Sequence, residues 1–163
     1  MTELSRDFHE ELLIRRTLER YMRFNDDGDL DRILKLFAPD AVYRVGGEEL
    51  VGQAAIGKFL SRFGYKTGRA RWTDKDRLMV MPRTAHLMSN PVIDVDGDTA
   101  TAESDFAVVD RNESGHARMI LVGRYRDRLK KMADGWVFVE RTGVSMAKRG
   151  DPEDTREPWP APK

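Results

Sequence analysis

The chain contains no cysteine. That absence excludes disulfide bridges, cysteine-ligated zinc and thiol nucleophiles together. Surplus charge is missing too: 28 Lys plus Arg balance 28 Asp plus Glu. Without a basic excess, neither a nucleic-acid backbone nor an anionic membrane is expected as a partner. No apolar run approaches the roughly 18–20 residues that a membrane span requires. The opening stretch MTELSRDFHEELLIRR lacks the apolar core of a signal peptide, so a cytoplasmic protein is expected. Gly46-Gly47 opens no helix with a Lys-Ser/Thr pair, which removes a phosphate loop. Gly143-Val144-Ser145-Met146-Ala147 ends in Ala where a nucleophile elbow needs Gly. The three histidines, His9, His86 and His116, share no ligand spacing, so no metal site is expected.

What is present fits one domain. A chain of 163 residues buries about 70% of the surface that its unfolded form exposes, so it folds without a staple. Residues 5–25 read as an amphipathic helix with Leu4, Phe8, Leu12, Ile14, Leu18 and Met22 on one stripe. Gly28 is placed to cap it, and Asp29 to start a short second helix that Pro39 stops. Residues 41–45 and 48–51 form a hairpin about Gly46-Gly47, and residues 52–63 return to helical period. Residues 64–83 lose all pattern, and a connection that long is a candidate lid.

The second half is strands: 84–95, 99–109, 117–129 and 136–146, with a hairpin signal at Asp96-Gly97-Asp98. Four long strands in succession imply an antiparallel meander, and helices collected at the other end make the class α+β. A curled sheet with helices on one face leaves room for a small-molecule cavity. Residues 1–146 form the domain, and 147–163, which hold four of the seven prolines, an extended tail.

Two stretches carry a family resemblance. One is Tyr21, Asp26-Asp27-Gly28-Asp29, Leu36-Phe37-Ala38-Pro39-Asp40-Ala41 and then Gly52, Ile56 and Phe59-Leu60. The other is Thr84-Ala85-His86-Leu87-Met88-Ser89-Asn90 with Asp96-Gly97-Asp98, Gly123-Arg124-Tyr125-Arg126-Asp127 and Gly135-Trp136. Over residues 13–146 the chain resembles a SnoaL-like domain of the nuclear-transport-factor-2-like superfamily. The resemblance implies a cone: a curved antiparallel sheet wrapped around three N-terminal helices. The scytalone- and bile-acid-dehydratase branch is one likeness, the small subunit of ring-hydroxylating dioxygenases another. The first implies a substrate-facing Tyr21, Asp26 and His86, and a cofactor-free lyase or isomerase acting on a small hydrophobic oxygenated ring compound. The second implies a non-catalytic subunit, and a small-molecule carrier is a third reading. Members of this kind pair, so a dimer or trimer is expected.

His86 is the candidate proton carrier because imidazole titrates near neutral pH. Asp26 would orient it, as the Asp of a Ser-His-Asp triad does, and Tyr21 would hold an oxygen on which charge grows. Asp105 sits in an apolar stretch and needs a partner; Arg141 or His86 are the two options. Met88 and Asn90 share the His86 face by period two. With Arg141 and with His116, read as exposed, they are candidate substrate contacts.

Overall fold

The computed structural model describes residues 3–62, 84–111 and 114–146. The expected lid (64–83) and tail (147–163) lie outside the described residues. Helix α1 (Glu3–Asp27) ends where Gly28 turns left-handed at φ 62°. Gly28 N–H then donates to the Asn25 carbonyl at 2.9 Å and Asp29 N–H to that of Phe24 at 3.0 Å. These bonds satisfy carbonyls that a helix end leaves open.

The buried face of α1 differs from the expected stripe. Ile14, Leu18 and Met22 are buried, but Phe8 and Leu12 are 69% and 41% exposed, while Glu10, Thr17 and Asn25 lie inside. The cause is polar satisfaction. Trp136 Nε1 and Lys131 Nζ donate to Glu10 at 2.8 and 2.6 Å, and the Thr17 hydroxyl donates to the Trp136 carbonyl at 3.3 Å. The Asn25 amide donates to the Tyr21 carbonyl at 2.8 Å. Partners for buried polar atoms set the helix rotation as firmly as apolar residues do.

Asp29 caps α2 (Leu30–Leu34) by accepting from Arg32 N–H at 3.1 Å, as expected. Strand β1 (Phe37–Val45) starts before Pro39, so the proline does not end the helix but sits inside a strand. It does so where the pairing register breaks, between Phe37 and Val42, the kind of place where a strand tolerates it. The Gly46-Gly47 turn, with φ of 59° and 79°, leads into β2 (Glu48–Val51), and α3 (Gly52–Ser61) follows.

Strands β3 (Thr84–Asp96), β4 (Thr99–Arg111), β5 (Ala117–Met132) and β6 (Gly135–Ser145) form the expected antiparallel meander. The sheet order is β2-β1-β6-β5-β4-β3. One pair departs from the all-antiparallel expectation: β1 lies parallel to β6. Its connection runs through the rest of the domain, which provides the long crossover that a parallel pair needs.

Along β4, Ala100, Ala102, Ser104, Phe106 and Val108 turn inward, with Thr101, Glu103, Asp105 and Ala107 between them. Helix α1 lies against the inner side, touching β3 and β6. The core between them is aromatic: Tyr21 meets Phe37, Tyr125 and Phe138 edge-on at 5.8–6.0 Å between centroids. Gly123 belongs to this packing, because a Cβ there would meet the Val144 carbonyl and reach within 2.6 Å of the Phe106 ring.

Candidate functional site

Asp26 lies in the last turn of α1, and His86 is the third residue of β3, opposite the inward-facing Val108. The structure brings the two together. His86 Nδ1 lies 2.7 Å from Asp26 Oδ1, and the His86 backbone N–H reaches both carboxylate oxygens at 3.0 Å. Their side chains are only 13% and 6% exposed. A carboxylate can only accept, so this contact holds the hydrogen of a neutral ring on Nδ1 and leaves the lone pair on Nε2. The backbone bond fixes the carboxylate against the strand, so ring orientation and carboxylate position are set together.

Tyr21 does not stand beside His86 in open volume. It is 1% exposed, and its hydroxyl lies 3.0 Å from that of Tyr43 on β1. Burial, and after it the neighbouring Tyr21, pushes the Tyr43 phenol well above its ordinary range. Burial raises Tyr125 in the same way. Both phenols therefore remain hydrogen-bond donors at ordinary pH. The Tyr125 ring stacks on Phe106 at 4.3 Å.

Arg141, a candidate substrate contact, is fully buried. Its guanidinium carbon lies 3.7, 4.0 and 4.4 Å from the ring centres of Tyr125, Tyr21 and Phe138. Its ionic partner is Asp127, directly opposite on β5, with Nη1 donating to Oδ2 at 3.2 Å. Burial raises the Asp127 carboxyl to about 6, against the opposing pull of Arg141.

Asp105 is therefore neither the partner of Arg141 nor a neighbour of His86. It faces outward, accepting from Arg124 Nε at 2.7 Å and from the Asn90 amide at 3.1 Å. Arg124 first, and Asn90 second, hold its carboxyl below the usual range. Asn90 also leaves the His86 face, because the β3 register shifts between Ser89 and Val92 with Asn90 at φ 51°. Such a bulge flips the alternation of every residue after it. Met88 stays on the inner side, half-buried against the core, and His116 is exposed before β5.

Sequence reasoning missed Tyr43, Ser104 and Asp127. A signal for the last was available: Arg124, Arg126 and Arg128 alternate with Gly123, Tyr125, Asp127 and Leu129, which puts the acid on the inward row. Among the described residues no group of three or more His, Cys, Asp or Glu is placed to hold a metal ion, and no helix is long and apolar enough to cross a membrane. A groove of about 460 Å³ lies on the outer side of the sheet, lined by Val92, Asp94, Glu103, Arg126, Arg128 and Glu140 among others. Neither Asp26 nor His86 lines it.

A family profile for the SnoaL-like domain matches residues 6–142, and the chain belongs to that family. No curated protein matches. Among solved structures, a variant of Rv3472, a protein of unknown function from Mycobacterium tuberculosis, superposes with a TM-score of 0.76 at 22% identity, covering 93% of this chain and 80% of that one. A candidate scytalone dehydratase from Novosphingobium aromaticivorans gives 0.66 at 22% identity, covering 86% of each chain. The β subunit of a candidate aromatic-ring-hydroxylating dioxygenase from the same organism gives 0.66 at 20% identity, covering 90% and 94%. At such identities the likeness establishes the fold, which is nuclear-transport-factor-2-like, and leaves activity to the site.

The buried acid makes a testable prediction. The folded state favours neutral Asp127, since its carboxyl is raised from 3.8 to about 6. Its contribution to stability is therefore complete below about pH 3.8 and is lost as pH rises through about 6. Asp127→Asn lacks that titration. The stability margin of wild type over Asp127→Asn should narrow between about pH 4 and pH 7 in urea melts. A margin that widens would show that the carboxyl is lowered instead.

Proposed function

We propose that the chain is a cofactor-free lyase or isomerase that acts by general acid–base catalysis on a small hydrophobic oxygenated ring compound. The observation that carries this reading is the 2.7 Å contact between Asp26 and His86 Nδ1, which leaves Nε2 as the basic atom. Nε2 removes a proton from carbon next to a carbonyl, and Asp26 stabilises the imidazolium that forms. For dehydration, the carbon–oxygen bond at the adjacent position breaks and the imidazolium returns its proton to the departing hydroxyl, releasing water. For isomerisation, the same proton returns to a different carbon. Either way, charge grows on the carbonyl oxygen, and the Tyr21–Tyr43 pair is the donor this reading assigns to it. Of two hydroxyls sharing one hydrogen bond, the acceptor still has its own hydrogen to give.

On a substrate that the protein turns over, His86→Ala should lower kcat by about 10²–10⁴-fold, the usual share of a general base. Asp26→Asn should lower it with little change in KM, and Tyr43→Phe should slow the step without changing its pH dependence. Unchanged turnover in His86→Ala would end the acid–base reading and favour a carrier or a non-catalytic subunit.

Self-association through the outer side of the sheet is part of the same proposal. Leu87, Ala107 and Val122 stand in register across three strands, and Met146 N–H bonds the Val122 carbonyl at 2.8 Å, adding a fourth member. Leu87 and Met146 are 53% and 47% exposed. Beside this apolar row, Arg124, Arg126 and Arg128 pair with Asp105, Glu103 and Glu140 at 2.7–3.1 Å. A band in which the charges cancel can face its own copy about a two-fold axis without net repulsion. Sedimentation velocity at micromolar concentration should show a dimer that Leu87→Glu converts to monomer; a monomeric wild type would refute the interface.

A further inference from the structure

The interior of the cone holds a set of polar atoms that the fold leaves unmet. Arg141 Nη1 is engaged by Asp127 Oδ2, and three rings surround its guanidinium. Arg141 Nε and Nη2, Asp127 Oδ1 and Ser104 Oγ have no hydrogen-bond partner among the described residues. The three residues are 0%, 3% and 1% exposed, so water does not solvate them from outside. Folded proteins pair most buried polar atoms, and each one left unpaired is costly. Four on three neighbouring residues is a concentration that the packing of the domain does not explain.

Their arrangement is specific. Nε and Nη2 form one side edge of the guanidinium, the fork that presents two parallel N–H groups. Asp127 stands directly across from Arg141 on one side and from Ala102 on the other. Ser104 is two residues from Ala102 on the same inward row of β4, hence a diagonal neighbour of Asp127. Together the atoms offer three donors (two N–H and one O–H) and one acceptor, and the ion pair behind them carries no net charge.

We infer that this cluster is an anchoring subsite for a neutral substrate group in which a carbonyl oxygen stands beside a hydroxyl. The carbonyl oxygen takes the two N–H groups of the Arg141 fork and the Ser104 hydroxyl. The adjacent hydroxyl donates to Asp127 Oδ1. A carboxylate fits less well, because it would set a second negative charge against Asp127 in a place cut off from water. Tyr21, whose ring faces Arg141, precedes Asp26 on α1 by five residues, a rise of about 7.5 Å. A ligand of one or two rings held at Arg141 therefore extends toward His86. This deepens the acid–base reading and rests on it for where the reacting end lies; binding at the anchor itself does not require His86 to be catalytic. Since the subsite is sealed in this structure, aromatic side chains must part to admit the ligand, and association is expected to be slower than diffusion allows.

The test uses the full-length chain and three probes: α-hydroxyacetophenone, acetophenone and benzoate. Calorimetry should show the hydroxyketone binding about tenfold more tightly than either of the others, the worth of about 1.4 kcal/mol. Saturation with it should shift the Arg141 Nε–H resonance. Ser104→Ala should weaken hydroxyketone binding about three- to tenfold, while leaving the unliganded Tm unchanged or raised, since it removes an unmet hydroxyl. His86→Ala should lower turnover by about 10²–10⁴-fold yet leave probe affinity within about twofold, which separates failure of the anchor from failure of the catalytic reading. Equal affinity for the three probes, a Ser104→Ala variant that binds like wild type, or an Arg141 resonance unmoved at saturation would overturn the inference and assign the fork to water.

Discussion

One carboxylate ties the two halves of this fold together. Asp26, at the last turn of α1, accepts from both the backbone and the ring of His86, at the start of the edge strand β3. Charge-assisted bonds of this kind are about twice as strong as neutral ones, and here they converge on a group that is largely shut off from water. They tie the last turn of α1 to the start of β3. They also set the chemistry, because the atom that anchors the strand is the atom that orients the imidazole. Structure and proposed mechanism thus share a single interaction, and a change at Asp26 acts on both.

The sheet distributes polar residues by a simple rule that its bulges then modify. Outward-facing arginines and carboxylates pair in solvent, where such pairs contribute little to stability. The inward rows hold aromatic residues, and among them Asp127, Arg141 and Ser104. That interior pair is a weak source of stability, since desolvation offsets much of the attraction between its charges. A buried charge pair with one side left open suits binding better than it suits folding, and the three phenols of Tyr21, Tyr43 and Tyr125 line the same region. On the proposed reading the domain combines a polar anchor and a proton-transfer pair, both on its inner side.

Much of this was legible in the sequence. Strand alternation, the Gly28 cap, the Asp29 cap and the Gly46-Gly47 and Gly97 turns follow from local chemistry, and local chemistry held. The α1 stripe was misread at Phe8 and Leu12 because periodicity counts apolar residues, whereas the helix turned to satisfy Glu10, Thr17 and Asn25 through Trp136 and Lys131. Asn90 was misplaced because one bulge reverses the faces of a strand, and nothing in period two announces a bulge. Asp105 was given the wrong partner for a related reason: which of two carboxylates points inward depends on register, and Arg124 is its neighbour in register. Asp26 and His86 are sixty residues apart in sequence, so only the family resemblance suggested their meeting.

The acid–base mechanism requires that Asp26 hold His86 in the tautomer with hydrogen on Nδ1 and a basic Nε2. Long-range nitrogen–proton correlation spectra of the His86 ring test it directly. The wild type should show a protonated Nδ1 and an unprotonated Nε2, and Asp26→Asn a mixture of tautomers. A wild-type ring with its hydrogen on Nε2, or one averaging freely between the two forms, would contradict it.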